Sequence, residues 1–395
     1  MKVLSPKQLC TLLLAASACN TSFAADSITE AFTNSTTKLS LRLRYEDVDI
    51  PSGDNNLLSL KTRLTYTTDT FNNFGALLEM DDITHMSDLD SGVGIPPISD
   101  PEGTEINQAI LTYTFSDTTA KYGRQRILLD NQRFVGGVGF RQNEQTYDGL
   151  SFTNKSFGDT EIFLANVTNV NRIFGELAAS GDHSNDTILF NAKYSGWSAG
   201  ALSVYAYLID NKDMVTFSSD TMGARFAGKS GIFSYAAEFA TQSDAGDNTL
   251  NYDADYLLAE GGVKAGPVNL TLGYEVLGSD GSNGQFITPL ATLHAFQGWT
   301  DVFLGGGSGN VAGGIEDTYF KLATKFAGLN LLVKYHMFSP DDSTAAGVSD
   351  YGSEIGFQLS KDWDHYGLSL KYADYSKDEF SNDTKKLWLT ATANF

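Results

Sequence analysis

The 395-residue chain carries 27 Lys+Arg against 48 Asp+Glu, a formal net charge of −21, which argues against nucleic acid as a partner. Hydrophobic residues make up 42% and mostly alternate with polar ones, and no later apolar stretch reaches the ~20 residues of a spanning helix. Both cysteines, Cys10 and Cys19, precede Ala25, so a chain processed there is expected to hold neither disulfide nor thiolate metal site.

At the N-terminus, Lys2 and Lys7 flank the start of a short apolar stretch, Leu9 to Ala18. Ser22 and Ala24 stand three and one residues before a cut ahead of Ala25. This order predicts a secretory signal peptide over 1–24. The run is too short for a membrane anchor. Cys19 could mark a lipoprotein signal, but such signals usually carry Leu or a similar residue where Ala16 stands.

From residue 25 onward, two-residue alternation predicts a single all-β domain over 25–395. Strand one is expected at Thr37–Glu46 and, after a loop containing Pro51-Ser52-Gly53, strand two at Leu57–Thr68. A tight turn at Asp69–Asn73 leads to strand three, Phe74–Ile83, and an acidic, Pro-containing loop leads to strand four, Glu105–Phe115. Ser116-Asp117 turns into strand five, Thr119–Arg126, and strand six is expected at Thr146–Asn154 after a Gly-rich segment. Beyond it, short turns such as Ala265–Pro267 and Ala327-Gly328 alternate with long loops such as Thr168–Asp186 and Gly278–Ile315. About eighteen strands result, within the ~8–26 of even-stranded bacterial barrels, which have short periplasmic turns and long outer loops. Only helices and closed barrels can cross lipid, because every backbone polar group must be paired internally. The expected fold is therefore a transmembrane antiparallel β-barrel. A soluble sandwich or propeller does not require this long–short rhythm, and no blade-length repeat is visible. Tyr45, Tyr66, Tyr113, Tyr274, Tyr335 and Tyr372 lie near strand ends, where aromatic girdles sit.

The final stretch, Lys386 to Phe395, has Leu387, Leu389, Ala391, Ala393 and Phe395 on one face and Lys386, Trp388, Thr390, Thr392 and Asn394 on the other. It resembles the closing strand of bacterial outer-membrane barrels. That resemblance implies outer-membrane lipid as surroundings, the barrel assembly machinery as a partner through this strand, and passage of solutes.

Since the lipid face must be apolar, alternation also gives the inward face. Strand one turns Arg42 and Arg44 inward, and strand two Lys61 and Arg63. Lys321, Lys325, Lys334 and Lys371 are inward on strands fourteen, fifteen and seventeen, and Lys386 on the last. Closure of the barrel makes these strands one arc, a basic wall along the seam. Strand three adds inward Glu79 and Asp81 next to that wall, and a cationic ladder facing acids across a lumen would set up a transverse field that selects solutes. These charges could equally serve only to hydrate the lumen and pair with one another.

The segment Tyr122–Asp148 concentrates Arg124, Arg126, Arg133 and Arg141 among the glycines Gly136, Gly137 and Gly139. Folded into the lumen, it would place guanidiniums, which suit bidentate binding of carboxylate or phosphate, at a constriction. Left outside, its arginines would pair with Asp130, Glu144 or Asp148. The runs Gly123–Arg126, Asp130–Gly136 and Arg141–Asp148, together with Phe286–Asp301, resemble the alginate-export porin family. The resemblance implies an eighteen-stranded barrel, solute passage, and Arg124, Arg126, Arg133 and Arg141 as pore residues.

Nothing calls for an enzyme, cofactor or metal. His183-Ser184-Asn185 falls in an expected loop, where adjacent residues do not make an oriented nucleophile–base pair. No His-x-x-x-His spacing occurs, Asp88-Leu89-Asp90-Ser91-Gly92 lacks a full calcium-loop pattern, and Gly305-Gly306-Gly307 lacks the Lys-Ser/Thr of a phosphate loop. The expectation is a channel for small hydrophilic solutes, with anionic ones such as uronates or organic acids favoured by the basic wall. Polysaccharide export is the alternative within transport, and a barrel enzyme or surface adhesin the alternative of another class.

Overall fold

A closed sheet lets alternating strands put apolar side chains into lipid while leaving no backbone N–H or C=O unpaired there. A computed structural model of the chain describes residues 25–91 and 94–395; the expected signal peptide lies outside them. Its strands are β1 (Thr36–Ile50), β2 (Gly53–Thr67), β3 (Phe74–His85), β4 (Gly103–Phe115), β5 (Thr118–Gln125), β6 (Thr146–Phe157), β7 (Thr160–Asn171), β8 (Asp182–Trp197) and β9 (Gly200–Ile209). They continue as β10 (Ser219–Ser230), β11 (Phe233–Asp244), β12 (Asp253–Ala265), β13 (Val268–Leu277), β14 (Ile315–Phe326), β15 (Leu329–Ser339), β16 (Gly352–Asp362), β17 (Tyr366–Lys377) and β18 (Thr384–Asn394). Each pairs antiparallel with its sequence neighbours in one 18-stranded sheet, and β1 pairs with β18 to close it. Phe395 completes the seam by exchanging backbone hydrogen bonds with Leu39 at 2.8 and 3.0 Å.

The tight turns that join each even-numbered strand to the next lie at one end, as the rhythm of the sequence requires, and the connection between β1 and β2 is the short one at the other end. Between β14 and β15, Ala327 and Gly328 take φ of +50° and +80°. Two consecutive left-handed residues match the twist of a two-residue hairpin, and glycine carries the second at no steric cost. A short helix, α1 (Ile28–Thr33), precedes β1 and is not apparent from the alternation. Ser27 caps it by accepting from the Glu30 N–H at 3.1 Å.

Two differences in boundary change how a segment reads. The loop expected around Pro51-Ser52-Gly53 is a bare two-residue connection, because β1 and β2 pair as far as Ile50 and Gly53. Outside the lipid, strands need no apolar face, so the outward pattern stops before the strands do. Likewise β8 begins at Asp182, so His183-Ser184-Asn185 lies on a strand and not in a loop.

The interior has two unlike halves. On β6–β9 and β12–β14, inward Tyr147, Val167, Leu189, Tyr205, Tyr207, Tyr256 and Tyr319 join Ile127, Phe134, Val135, Phe286 and Leu290 from two loops in one apolar cluster. On β1–β3 and β15–β18 many inward side chains are charged, among them Arg44, Lys61, Asp81, Lys334, Glu354, Lys371 and Lys386, beside smaller apolar clusters that include Val48, Leu57, Phe338, Tyr375 and Trp388. The apolar half anchors the loops, and the charged half is what they lean across to reach.

Candidate functional site

Two long loops enter the barrel. The first, residues 126–145, joins β5 to β6; the second, residues 278–314, joins β13 to β14. They are sewn together by a parallel bridge between Val135 and Leu290, with the Gly136 N–H donating to the Leu290 carbonyl at 2.8 Å. Glycine is needed there: a Cβ on Gly136 would stand 2.3 Å from the Thr292 hydroxyl.

The first loop runs from the apolar wall to the charged one. Arg133, fully buried, donates from Nε to Glu275 of β13 at 2.8 Å and from Nη1 to the Thr288 hydroxyl at 3.2 Å. At the far wall Gln142 donates to the Ser59 hydroxyl at 2.8 Å and accepts from Arg42 Nε at 2.8 Å. Arg42 also donates to the carbonyls of Gly139, at 2.9 Å, and Arg141. Arg141 reaches Glu46 of β1 at 2.9 Å and, more loosely, Asp301 of the second loop at 3.5 Å. Glu144 receives Arg63 at 2.8 Å, Arg126 at 2.5 Å and Lys61 at 3.9 Å. Burial alone would raise the Glu144 pKa, but these three cations hold it down at about 2, so the carboxylate is charged at any physiological pH.

The second loop is pinned by Glu354 of β16. It accepts from the backbone N–H of Trp299 at 2.5 Å, from that of Thr300 at 3.0 Å and from the Thr300 hydroxyl at 2.5 Å. This sets Asp301 beside Lys386 at 2.9 Å and His294 at 2.8 Å. His294 lies on Phe140 with ring centroids 3.6 Å apart, and its Nε2 is 2.6 Å from Lys371 Nζ. An ammonium can only donate, so Nε2 accepts and the ring proton sits on Nδ1, facing Asp301. Burial, reinforced by Lys371, holds His294 well below its ordinary pKa despite Asp301. Asp301 stays well below its own, because His294 and Lys386 outweigh its burial.

The cations expected on the inner wall lie there: Arg42, Arg44, Lys61, Arg63, Lys321, Lys325, Lys334, Lys371 and Lys386 all occupy inward positions of their strands. Three expectations need correction. Glu79 and Asp81 do not oppose the basic wall across a lumen. Strand β3 lies beside β2 with Arg63 opposite Asp81, so Arg63 clasps Asp81 at 2.7 and 2.6 Å and neutralises it in place. Arg133 and Arg141 are not free guanidiniums at a constriction; each is spent on a buried carboxylate. Arg124 is not in the pore at all. It shares a face of β5 with Tyr122, which is 66% exposed, while its neighbour Gln125 is 2% exposed and turns inward. On the outer face it pairs with Asp148 at 3.0 Å and Glu176 at 2.6 Å. Arg126, one position past the strand, does enter the lumen, 3.0 Å from Glu79.

His183 and Asn185 are buried on β8 while Ser184 is exposed on the opposite face. The His183 ring meets Asn211 at 3.1 Å, so His183 and Asn185 belong to a buried polar cluster that Ser184 does not join.

One cation escapes the alternation argument. Arg172 follows the last residue of β7, and its guanidinium makes no hydrogen bond or ion pair with any described residue; its Nη1 is buried. It lines a cavity of about 390 Å³ between the two inward loops and residues 172–174, together with Ile173, Phe174, Pro289, Leu293 and Leu304. The scarcity of arginine outside the barrel seam and the 122–148 segment is the one signal in the sequence that could have drawn attention to it.

Comparison with known proteins agrees with this architecture. The alginate-export family model matches residues 36–274. No curated protein matches. Among solved structures, OccAB2 of Acinetobacter baumannii is similar at 17% identity and a TM-score of 0.73, covering 92% of this chain and 99% of that one. OccAB4 of the same organism is 16% identical with a TM-score of 0.71, over 91% of this chain and 98% of that one. Pseudomonas aeruginosa OpdK, solved with vanillate, is 14% identical with a TM-score of 0.71, over 92% of this chain and 99% of that one. The protein is an outer-membrane β-barrel, and with more than half of its length matched the chain belongs to the alginate-export family.

Proposed function

We propose that the protein is a passive channel for small hydrophilic solutes and that it prefers anions. The observation that carries the preference is which inner charges lack a counter-charge. Glu46, Glu79, Asp81, Glu144, Glu275 and Asp301 each have an Arg or Lys at ion-pair distance, while Glu354 and Asp130 are held by N–H, hydroxyl and amide donors alone. Arg42, Lys334 and Lys371 have none among the described residues. They rest on carbonyls and amides, or on rings, with Lys371 4.0 Å and Lys334 4.8 Å from the Trp299 ring centre. A solute carboxylate could replace such weak contacts and leave again, which conduction requires. The chain's excess of acids does not oppose this, since many of them lie in the outer loops.

OpdK was solved with vanillate, a carboxylate, and that fits the same reading. The family label suggests polysaccharide export instead. Against a polymer stand two loops joined across the lumen at Gly136–Leu290 and Arg141–Asp301. Assembly through the barrel machinery by way of β18 belongs to this proposal as well.

Swelling of liposomes containing the purified protein tests it. Sodium gluconate is expected to enter faster than lysine hydrochloride of similar size. Equal rates, or faster entry of lysine, would remove the anion preference.

A further inference from the structure

The cavity beside Arg172 carries more information than the channel reading uses. It lies among the outer loops, with His294, which stacks on Phe140, in its wall. Its walls are mostly apolar: Ile173, Phe174, Pro289, Leu293 and Leu304. Its charged groups are unequal. Asp301 is already shared among His294, Lys386 and Arg141, and Arg141 is already held by Glu46. Arg172 alone keeps a charge with nothing to meet it.

Such a group is costly. Burial of an ion without a counter-charge is unfavourable, and here burial lowers the Arg172 pKa, with Tyr147 as the opposing influence. The glycine run Leu304–Ser308 contributes: Gly307, at φ +103°, has its bare Cα side against the guanidinium, and a Cβ there would stand 3.3 Å from Arg172 Nη2. Backbone thus approaches where a side chain would have pushed the arginine aside. At about 30 Å³ of liquid volume per water-sized group, a 390 Å³ cavity has room for about a dozen non-hydrogen atoms.

We propose that this cavity is the outer binding site of the channel, and that its ligand is a monocarboxylate on a flat apolar body, with the carboxylate on the Arg172 guanidinium and the body against Phe174, Leu293 and Leu304. The inference rests on the channel reading and narrows its substrate class. Of the polar groups in the wall, Asp301, Arg141, His294 and the Gln145 amide N–H are already engaged elsewhere, so few partners remain for the hydroxyls of a uronate, which would have to give up their water. A benzoate-like solute gives up little, and a planar guanidinium can meet its carboxylate with two parallel bonds. One unmatched positive charge favours a monoanion over a dianion.

The test uses the full mature chain in detergent, with calorimetric titration of benzoate and D-glucuronate. Benzoate is expected to bind at least about tenfold more tightly than glucuronate, Arg172→Ala to weaken benzoate by about tenfold or more, and Arg172→Lys to restore part of that loss, as charge-assisted bonds of this kind predict. Equal affinities, or benzoate binding indifferent to Arg172→Ala, would overturn the assignment. Conductance in a planar bilayer separates the two proposals. Conductance without benzoate binding sinks the site and leaves the channel. Benzoate binding without conductance keeps the site and sinks the channel.

Discussion

Arg133→Met is expected to destabilise the barrel by about 3–5 kcal/mol, the cost of stranding one partner of a buried ion pair. Methionine fills much of the space beside Tyr256 and Phe296, whose ring centres lie 5.8 and 4.7 Å from the guanidinium. It cannot answer Glu275, which is 3% exposed and would keep only the Tyr256 hydroxyl at 2.7 Å. The first loop would also lose its hold on Thr288 of the second. The midpoint of urea unfolding in lipid micelles measures the loss, and adding Glu275→Gln should recover part of it by removing the orphaned charge. A loss below about 1 kcal/mol, the level of exposed pairs, would mean that Arg133 does not anchor the loop.

Glu354→Ala should produce the largest change in current. Glu354 is the common acceptor for Trp299 and Thr300, and charge-assisted bonds of this kind contribute about 1.5–3 kcal/mol each. Alanine leaves two buried N–H groups unanswered, so this part of the loop is expected to leave the wall and seek water. Asp301, the next residue, would leave Lys386 and Arg141 with it, and Trp299 would uncover Lys334 and Lys371. Single-channel recordings should show larger and noisier openings than the parent, with a stronger anion preference. Unchanged conductance would mean that the second loop does not limit the passage.

Much of the barrel was legible because lipid enforces a simple pattern. Leu39, Leu43 and Leu64 point outward, each beside an Arg or Lys, and that alternation exposes both the strand count and the basic seam. It fails where both faces are apolar. On β9, Val204 faces out and Tyr205 and Tyr207 face in, so the half of the lumen that grips the loops gave no contrast to read. It also fails at strand ends. Arg124, at the end of the expected strand five, is grouped by sequence with the Arg- and Gly-dense segment 122–148, yet it takes the outward parity of Tyr122 on the 8-residue β5. Arg172 lies one residue beyond a strand, where parity no longer applies.

The loop network was the least legible part. Its anchors join residues far apart in the chain, Arg141 with Glu46 and Arg133 with Glu275, and nothing local in either segment names the partner. The sequence could show that cations and carboxylates share the interior. Which of them cancel, and so which remain to meet a solute, depends on where two long loops come to rest.

Reversal potential in a planar bilayer under a potassium chloride gradient asks this directly. The purified chain should give discrete current steps whose reversal potential has the sign of chloride permeation, because the cations without an acid partner, Arg42, Lys334, Lys371 and Arg172, outnumber the inner acids without a cation, Glu354 and Asp130. A reversal potential of the opposite sign, or a membrane that stays silent, would contradict an anion-preferring channel.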